Sequence, residues 1–566
     1  MKTNPFPFPG RASTIALAAC AALLAGGPAT AGSLRYQVQE LATPNGSSSW
    51  SFANDINNLG QVAGFVQTGD TSTRRAAVWD GSQTLKLVLG DASFSEAYAL
   101  NNAGQAVGWV SYTSGQTRAA LWNGTQLDLL DTAGAWQDRA VGINDSGLVV
   151  GSVIASNGYQ HAAAWSGGRL TDLGATTVRG DAFSTAASVN RWGEITGSAT
   201  VPGSTSGHLP LTWADYGAGY TVQGSYNSIA INDLGQVLSI EDVGSGDNHV
   251  FVPILMQGGQ SQHMLPGNAE GYFFKLNNAG QAIGVTHGQT ASLWSTSGGA
   301  VAISGVLLPG STTVANVTAI NDYGQIAGYT SNHKAAVLTP TGTLHWSGPS
   351  GGAFNEAANW DSGLGLAPNK FLDAEIAAAG TIEVVGVGYD LAVKSLTVGG
   401  GGGINTLFLI EGGRIDALAG TRLLAGGRLA VSAGSDAIFA TGHLGGDLTM
   451  FEGSGIVLEA GRPLAGSFDR LVIDGRLAIG GGDFILSLDG DPVHAGDSYD
   501  FLDFGATSGH FSHLVLPTLA DGLYWDSSRL YSDGILSVQA VPEPSGMVLM
   551  LFGLAGLAWA KRRSLR

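Results

Sequence analysis

The sequence predicts an all-β protein: a seven-bladed β-propeller, then a Gly-rich β-solenoid or sandwich-like domain, and a C-terminal hydrophobic helix. Three observations predict it. A strand-turn-strand unit built on Asn and Gly occurs seven times at near-constant spacing, the signature of a repeat architecture. The second half consists of short apolar runs between glycine turns, and the last twenty-odd residues join an apolar stretch to a basic end.

The unit is clearest in Ile56-Asn57-Asn58-Leu59-Gly60-Gln61-Val62-Ala63-Gly64. Its Asn returns as Asn57, Asn101, Asn144, Asn190, Asn232, Asn277 and Asn321, at intervals of 44, 43, 46, 42, 45 and 44 residues. Three residues after each stands its Gly: Gly60, Gly104, Gly147, Gly193, Gly235, Gly280 and Gly324. Asn favours the first turn position because its side chain bonds back to the chain, and Gly accepts positive φ. These fourteen residues are therefore expected to be structural. A third strand follows in Ala76-Ala77-Val78-Trp79 and its counterparts ending in Trp122, Trp165, Trp213 and Trp294, and a fourth in runs such as Leu85–Leu89. Four antiparallel strands per repeat make a propeller blade, and ring closure removes the exposed sheet edge. Tyr36–Leu41 matches a fourth strand without a repeat before it, and is expected to complete blade seven. The fifth repeat lacks the Trp and has Ser239 where the others have Gly, so it is expected to be the most irregular.

The Ile-Asn-Asn/Asp-x-Gly-Gln-x-x-Gly unit followed by Ala-x-x-Trp resembles the HAF-type repeats of extracellular bacterial proteins, over roughly Leu34 to Leu344. The resemblance implies an exported location and little about activity.

A chain of 566 residues exceeds one ordinary core. Its 86 glycines and 12% charged residues indicate many turns and polar surfaces, and 44% hydrophobic residues exclude a mostly disordered chain. A formal charge of −18 argues against nucleic acid and anionic lipid as partners. Lys2 and Arg11 precede an apolar run ending in Ala29-Thr30-Ala31, which reads as a signal peptide (1–31) cut by signal peptidase after the secretion machinery engages it. The only cysteine, Cys20, lies inside it, so the mature chain has no disulfide; a lipoprotein box around Cys20 is the alternative.

At the other end Pro542, Glu543 and Pro544 precede an apolar run to Ala560 and then Lys561, Arg562 and Arg563. These three parts resemble the PEP-CTERM sorting signal of Gram-negative bacteria. The resemblance implies an exosortase that recognises Pro542, Glu543 and Pro544. Met547–Ala560 spans ~21 Å as a helix, short for a ~30 Å hydrocarbon layer unless its flanks contribute. The basic stop would hold it on the cytoplasmic side as a transient inner-membrane anchor, ahead of release to the surface or outside. The domains read as 1–31 signal peptide, 32–344 propeller, 345–540 Gly-rich all-β domain and 541–566 sorting segment.

In the second domain, Trp346-Ser347-Gly348 through Phe354, Asn359-Trp360 and Pro368 to Ile376 resemble the opening module of Gly-rich surface proteins that continue as solenoids. Strands are expected at Leu391–Val398, Thr406–Ile410, Leu423–Leu429, Leu448–Phe451, Gly455–Leu458, Leu471–Ile479 and Phe484–Leu488, with a strand-rich cap from Gly509 to Val538.

Chemistry is sparse. Gly348-Pro349-Ser350-Gly351-Gly352 fits the Gly-x-Ser-x-Gly pattern of hydrolase nucleophiles but sits in a Pro/Gly connector, not between strand and helix. The eleven histidines lack metal-helix spacing and read as surface or loop residues. No cofactor is expected; Asp489, Asp491, Asp497, Asp500 and Asp503 are the one candidate group for Ca²⁺. Tyr98, Trp109, Trp136 and Trp192 are candidates for a binding rim. The expected function is an exported, non-catalytic binding or structural platform in exopolysaccharide or biofilm, with polysaccharide as the candidate partner. The alternative is a polysaccharide hydrolase or lyase using the propeller axis, which needs converging carboxylates.

Overall fold

The structure, a computed structural model, describes residues 34–542 apart from 44–49, 68–72, 82, 88, 135–136, 175–182, 201–208, 215–217, 222–227, 245–249, 287, 387–389, 411–412, 433–438, 462–467 and 490–491. The candidate cleavage residues Ala29 and Ala31, the motif residues Glu543 and Pro544, the hydrophobic helix and Lys561–Arg563 lie outside the described residues. Two compact units form, one from Gly26–Leu344 with the short segment Asp361–Ala367, the other from His345–Trp360 and the chain after Pro368.

The first unit is a propeller of seven four-stranded antiparallel sheets. Six blades are consecutive in sequence. In the seventh, the strands Val314–Ile320, Ile326–Thr330 and Ala335–Thr341 are completed by Arg35–Glu40, which pairs with Ala335–Thr341 from Arg35↔Thr341 to Glu40↔Ala336. The early strand thus closes the ring, as its orphan pattern implies. Between neighbouring blades lie apolar layers, for example Leu41, Ile56, Val66 and Trp79 against Ala327, Ala335 and Val337. Trp79, Trp122, Trp165 and Trp213 are fully buried, and truncating such an indole to Ala costs about 3–5 kcal/mol. The alanines before Trp79, Trp122 and Trp165 are buried with them.

Each inner strand carries a bulge three residues before the Asn, at Asn54, Tyr98, Val141, Ala187, Ile229, Phe274 and Thr318. An extra residue of this kind bends and twists its strand. Opposite it stands the Gly that ends the repeat motif. A β-carbon on Gly64 would lie 1.9 Å from the Phe52 carbonyl oxygen, and on Gly108 2.0 Å from that of Glu96, so only Gly admits the backbone there. Blade five has Ser239 at this place, and its inner strand, Ser228–Ile231, is four residues long, the shortest of the seven inner strands among the described residues. It nevertheless keeps all four strands.

The second unit is a parallel β-solenoid of about five turns. One sheet stacks Ile382–Val385, Asn405–Ile410, Gly427–Ser432, Gly455–Ala460, Asp483–Leu488 and His513–Val515 in register. The other two walls merge through the long strand Arg470–Gly480, which pairs with Thr441–Gly445 by its first half and Leu448–Phe451 by its second. Runs expected as single strands are pairs of strands around a corner: Asp390–Val393 and Ser395–Val398, then Thr421–Leu423 and Gly427–Ser432. Alternation continues through a solenoid corner, so periodicity alone does not mark it. Leu396, Leu407, Leu429, Leu448, Ile456 and Leu477 fill the interior.

Both ends of the solenoid are closed by aromatic residues. At the start Trp360 meets Trp346 edge-on at 5.3 Å and Phe354 at 5.2 Å. At the finish Phe501 stacks on Tyr499 at 5.4 Å beside Phe484, under an antiparallel sheet of Ser498–Asp500, Leu523–Asp526 and Ile535–Ala540. Such caps cover core and backbone that an open end would expose.

Candidate functional site

Each repeat Asn is buried and heads a turn in which the Gly N–H donates to the Asn carbonyl, 3.0 Å in Gly60→Asn57. All seven glycines have positive φ: Gly60 83°, Gly104 78°, Gly147 82°, Gly193 85°, Gly235 71°, Gly280 73° and Gly324 74°. None of the seven lines the axial cavity described below; they shape the turns around it. A β-carbon on Gly147 or Gly280 would meet only the glutamine of the preceding repeat, Gln105 Oε1 at 3.8 Å or Gln236 Oε1 at 3.4 Å, whereas on Gly324 it would strike the Leu366 side chain at 2.4 Å. The requirement for Gly is thus conformational at the first two and also steric at the last.

The Asn57 Oδ1 accepts from the N–H groups of Leu59 (3.1 Å) and Gln61 (2.9 Å), and its Nδ2 donates to Gln61 Oε1 at 2.9 Å. The remaining Nδ2 hydrogen reaches out of the blade. Asn57 donates to the Asn101 carbonyl (3.0 Å), Asn101 to Asn144 (3.1 Å), Asn144 to Asn190 (2.9 Å), Asn190 to Asn232 (3.2 Å), Asn232 to Asn277 (3.0 Å), Asn277 to Asn321 (2.9 Å), and Asn321 back to Asn57 (2.9 Å). Seven amides therefore form a closed circle about the axis. Sequence reasoning places the Asn in a turn; it misses the circle, because a bond to the next repeat leaves no local pattern.

A second circle lies one residue on. The backbone N–H of Asn58 donates to Asn102 Oδ1, Asn102 to Asp145, Arg191 to Asp233, Asp233 to Asn278, Asn278 to Asp322 and Asp322 to Asn58, at 2.8–2.9 Å. The series lacks its Asp145-to-Arg191 member, because a guanidinium has no acceptor. Blade four departs further: Glu194 replaces Gln and accepts from Asn190 at 2.7 Å, and Trp192 is exposed beside Arg191.

Together these turns surround an axial cavity of about 200 Å³ lined by residues of all seven repeats. Two residues before each Asn, small side chains such as Ala99, Gly142 and Ala230 line it, except that Lys275 reaches Asp55 at 3.3 Å. Asp55 Oδ2 also accepts from the Leu100 N–H at 3.1 Å. The Asn278 amide donates to Asp233 Oδ2 at 2.9 Å and Asp322 Oδ2 at 3.0 Å, joining two carboxylates at the mouth.

The other sequence candidates do not converge. Trp192 stands at a turn tip of blade four, whereas Tyr98 and Trp109 belong to blade two, where Arg139 covers the Trp109 ring at 5.5 Å; Trp136 lies outside the described residues. Burial pushes the Tyr98 hydroxyl up, with Glu96 adding to the shift. Ser350 Oγ accepts from the Glu383 N–H at 3.0 Å, a connector contact. Asp500 and Asp503 both bind Arg470 (2.9 and 3.1 Å), Asp497 accepts from the His494 N–H at 2.6 Å, and Asp491 lies outside the described residues. Among the described residues there is no group of three or more His, Cys, Asp or Glu able to hold a metal ion. Among the histidines, His161 is a correction: it is buried on the strand Gln160–Ser166 and bonds Asp172 at 2.9 Å, with Gly174 making room for its ring.

Besides Glu96, which pairs with Arg74 at 3.1 Å, two buried carboxylates among the described residues fall outside every motif. Asp138 is fully buried; the Thr132 side chain, the Ile154 backbone and the Arg118 charge favour its carboxylate, yet burial outweighs them and pushes its pKa up. Asp469, in the solenoid, accepts from the N–H groups of Ala440 (3.0 Å) and Glu459 (2.9 Å), yet burial pushes it up to about 7.

Residues 540–563 match the PEP-CTERM protein-sorting motif. The chain therefore carries the mark of an exported protein sorted by an exosortase in Gram-negative bacteria. No curated protein matches the chain. Similar solved structures include the β-propeller domain of the Trilobed protease from Pyrococcus furiosus, at 6% identity and TM-score 0.34 over 51% of this chain and 93% of that one. The BP39L lectin from Burkholderia pseudomallei is similar at 11% identity and TM-score 0.32, over 51% and 95%. A gluconolactonase from Xanthomonas campestris is similar at 12% identity and TM-score 0.27, over 55% and 96%. These likenesses are of fold alone.

Proposed function

We propose that the protein is a non-catalytic platform, exported and cut by an exosortase, whose propeller binds extracellular polysaccharide in a surface or biofilm matrix. The sorting motif supports the destination. The binding reading rests on one observation: the seven Asn amides that would otherwise resemble an active centre are used in closing the ring, leaving a polar mouth over a cavity that holds the Asp55–Lys275 ion pair. The repeats themselves we assign to the HAF type on their Asn-x-x-Gly and Ala-x-x-Trp units.

A glycan array with the purified protein, scored for both binding and depolymerisation, tests this reading. Saturable binding without cleavage supports it, and cleavage of a bound glycan refutes it. The second reading, a hydrolase or lyase at the axis, is favoured by the Asp233–Asn278–Asp322 bridge; in that case Asp322→Asn abolishes cleavage. For the destination, Glu543→Ala is expected to leave unprocessed protein in the inner membrane, held by the apolar run before Lys561, Arg562 and Arg563. Normal processing of that variant counts against recognition through Pro542, Glu543 and Pro544. N-terminal sequencing of the exported protein checks signal-peptide cleavage after Ala31.

A further inference from the structure

The tips of the seven turns, two residues after each Asn, are not alike. Asn and Gly hold the turn, so the fold asks nothing of the tip, and Ala103, Ser146 and Ala279 occupy it in exposed positions. Yet three tips are large, apolar and exposed, Leu59 at 63%, Trp192 at 64% and Leu234 at 60%. Exposed apolar bulk grouped on one surface marks a binding site more often than bulk scattered singly.

Their order around the ring gives the group a shape. The Asn circle makes blades seven and one neighbours, so Tyr323 and Leu59 are the tips of adjacent turns. Across the axis Trp192 and Leu234 stand side by side on blades four and five. Between these walls the tips are small, Ala103 and Ser146 on one side and Ala279 on the other. By this order two sectors with large tips face each other across the mouth and two sectors with small tips lie between them, the plan of a trench open at both ends. Trp192 is held in place, its Nε1 donating to the Asp233 carbonyl at 3.0 Å and the Arg191 guanidinium lying 4.2 Å from its ring centre. The floor is the second circle, with the amides of Asn58, Asn102 and Asn278 and the carboxylates of Asp145, Asp233 and Asp322.

We infer that this trench takes a linear neutral polysaccharide chain lying across the propeller axis, with sugar faces against Trp192 and Leu59 and hydroxyls on the amide and carboxylate floor. This rests on the binding reading above and names its ligand. Two open ends suit a chain passing through, not a chain end or a compact ligand. An apolar helix is disfavoured because it would cover the floor without hydrogen-bonding it. Charge excludes polyanions: the floor has three carboxylates against one cation, Arg191, which lies 3.9 Å from Asp233, above the balanced Asp55–Lys275 pair, on a chain of net charge −18. Aromatic faces against sugar C–H groups with a few oriented polar partners are the usual composition of such sites.

The test is titration of the full purified chain with a linear neutral glucan, an amino-sugar polymer and alginate. The wild type is expected to prefer the neutral chain. Trp192→Ala is expected to weaken that binding at least tenfold, and Ala279→Trp, which obstructs an open end without touching a wall, at least as much. Phe451→Ala, on an exposed solenoid strand, should bind as the wild type does; unchanged melting temperatures show that the variants fold. Glucan binding that Trp192→Ala and Ala279→Trp leave intact overturns the trench and spares the platform. Preference for alginate or for the amino-sugar polymer overturns the ligand assigned here. Failure to bind any glycan overturns both readings.

Discussion

Replacing Asn321 by Asp tests the ring where it matters most, at the contact that returns from blade seven to blade one. Asn321 is 4% exposed. Its Oδ1 accepts from the N–H groups of Tyr323 (3.1 Å) and Gln325 (2.9 Å), and its Nδ2 donates to the Asn57 carbonyl and Gln325 Oε1, both at 2.9 Å. Asn321→Asp keeps shape and the Oδ1 acceptor but turns the donor into a second acceptor facing two oxygens. Two lost hydrogen bonds at about 1 kcal/mol each, and two buried acceptors left opposite a carboxylate at about 1 kcal/mol or more each, give a loss of about 3–5 kcal/mol. Because the substituted carboxyl is buried among acceptors, its folded pKa lies above its unfolded value of about 3.9. Such a group leaves stability intact below the unfolded pKa, where the proton restores a donor, and removes it as pH rises through the folded pKa. Denaturant unfolding at pH 4 and pH 7 is the assay. A loss at pH 7 below about 1 kcal/mol, or a larger loss at pH 4, refutes the closure argument.

Three further outcomes follow from the same geometry. Ser51, Ser95 and Ser184 accept, at 2.9 Å, the N–H of Ala335, Ala76 and Ala162 in the preceding blade, and Asp138 holds the corresponding place in blade three; Asp138→Ser is expected to stabilise by about 1–2 kcal/mol. Since burial raises the Asp138 pKa, the wild type loses stability as pH rises from the ordinary carboxylate range through it, so the gain measured by urea titration should be larger at pH 7 than at pH 4. Gly108→Ala places a β-carbon 2.0 Å from the Glu96 carbonyl oxygen and should cost about 3 kcal/mol or more, read as a fall in melting temperature. With Asp469 at about 7 against an unfolded value of about 3.9, the solenoid is most stable below pH 4 as far as this group decides, and loses a few kcal/mol as pH rises through 7; Asp469→Ser should flatten that slope.

The propeller is legible because each of its blades repeats one local grammar. Asn-x-x-Gly states the turn, Ala-x-x-Trp states the third strand, and the unpaired strand at Tyr36 states how the circle is completed. What stays hidden is everything that joins one repeat to another. The Asn57-to-Asn101 bond spans 44 residues, and nothing about Asn57 distinguishes an amide bonded within its turn from one that also reaches the next blade. The bulge at Asn54 is hidden for a related reason: its trace is the Gly64 across from it, a place that Ser239 fills in blade five, and a lone Gly in such a run reads equally well as a turn. In the solenoid, corners at Lys394 and Leu424 interrupt the wall without interrupting the alternation. The burial of His161 depends on Gly174 and Asp172, which are remote from it in the motif, so its neighbours in sequence give no sign of it.

The distinction between what recurs and what varies also orders the site. Where all seven repeats agree, at Asn and Gly, the residue is consumed by its own turn and its neighbour, and a ligand that used it would have to break the ring. Where they disagree, the fold imposes no requirement, and the side chain is free to answer to something outside. The tips pass from Ala103 to Trp192 with the same turn beneath, and blade four concentrates departures: Arg191 where the others offer an acceptor, Glu194 for Gln, and the one indole among the seven tips. A purely structural spacer has no need for an indole 64% exposed and anchored at its Nε1. Exposure of that kind carries a solubility cost that a sugar face would offset, and the same face of the ring supplies hydroxyl partners within reach of the indole. The asymmetry of an otherwise sevenfold wheel is thus the part of the molecule that a binding assay interrogates, and its symmetry is the part that an unfolding assay does.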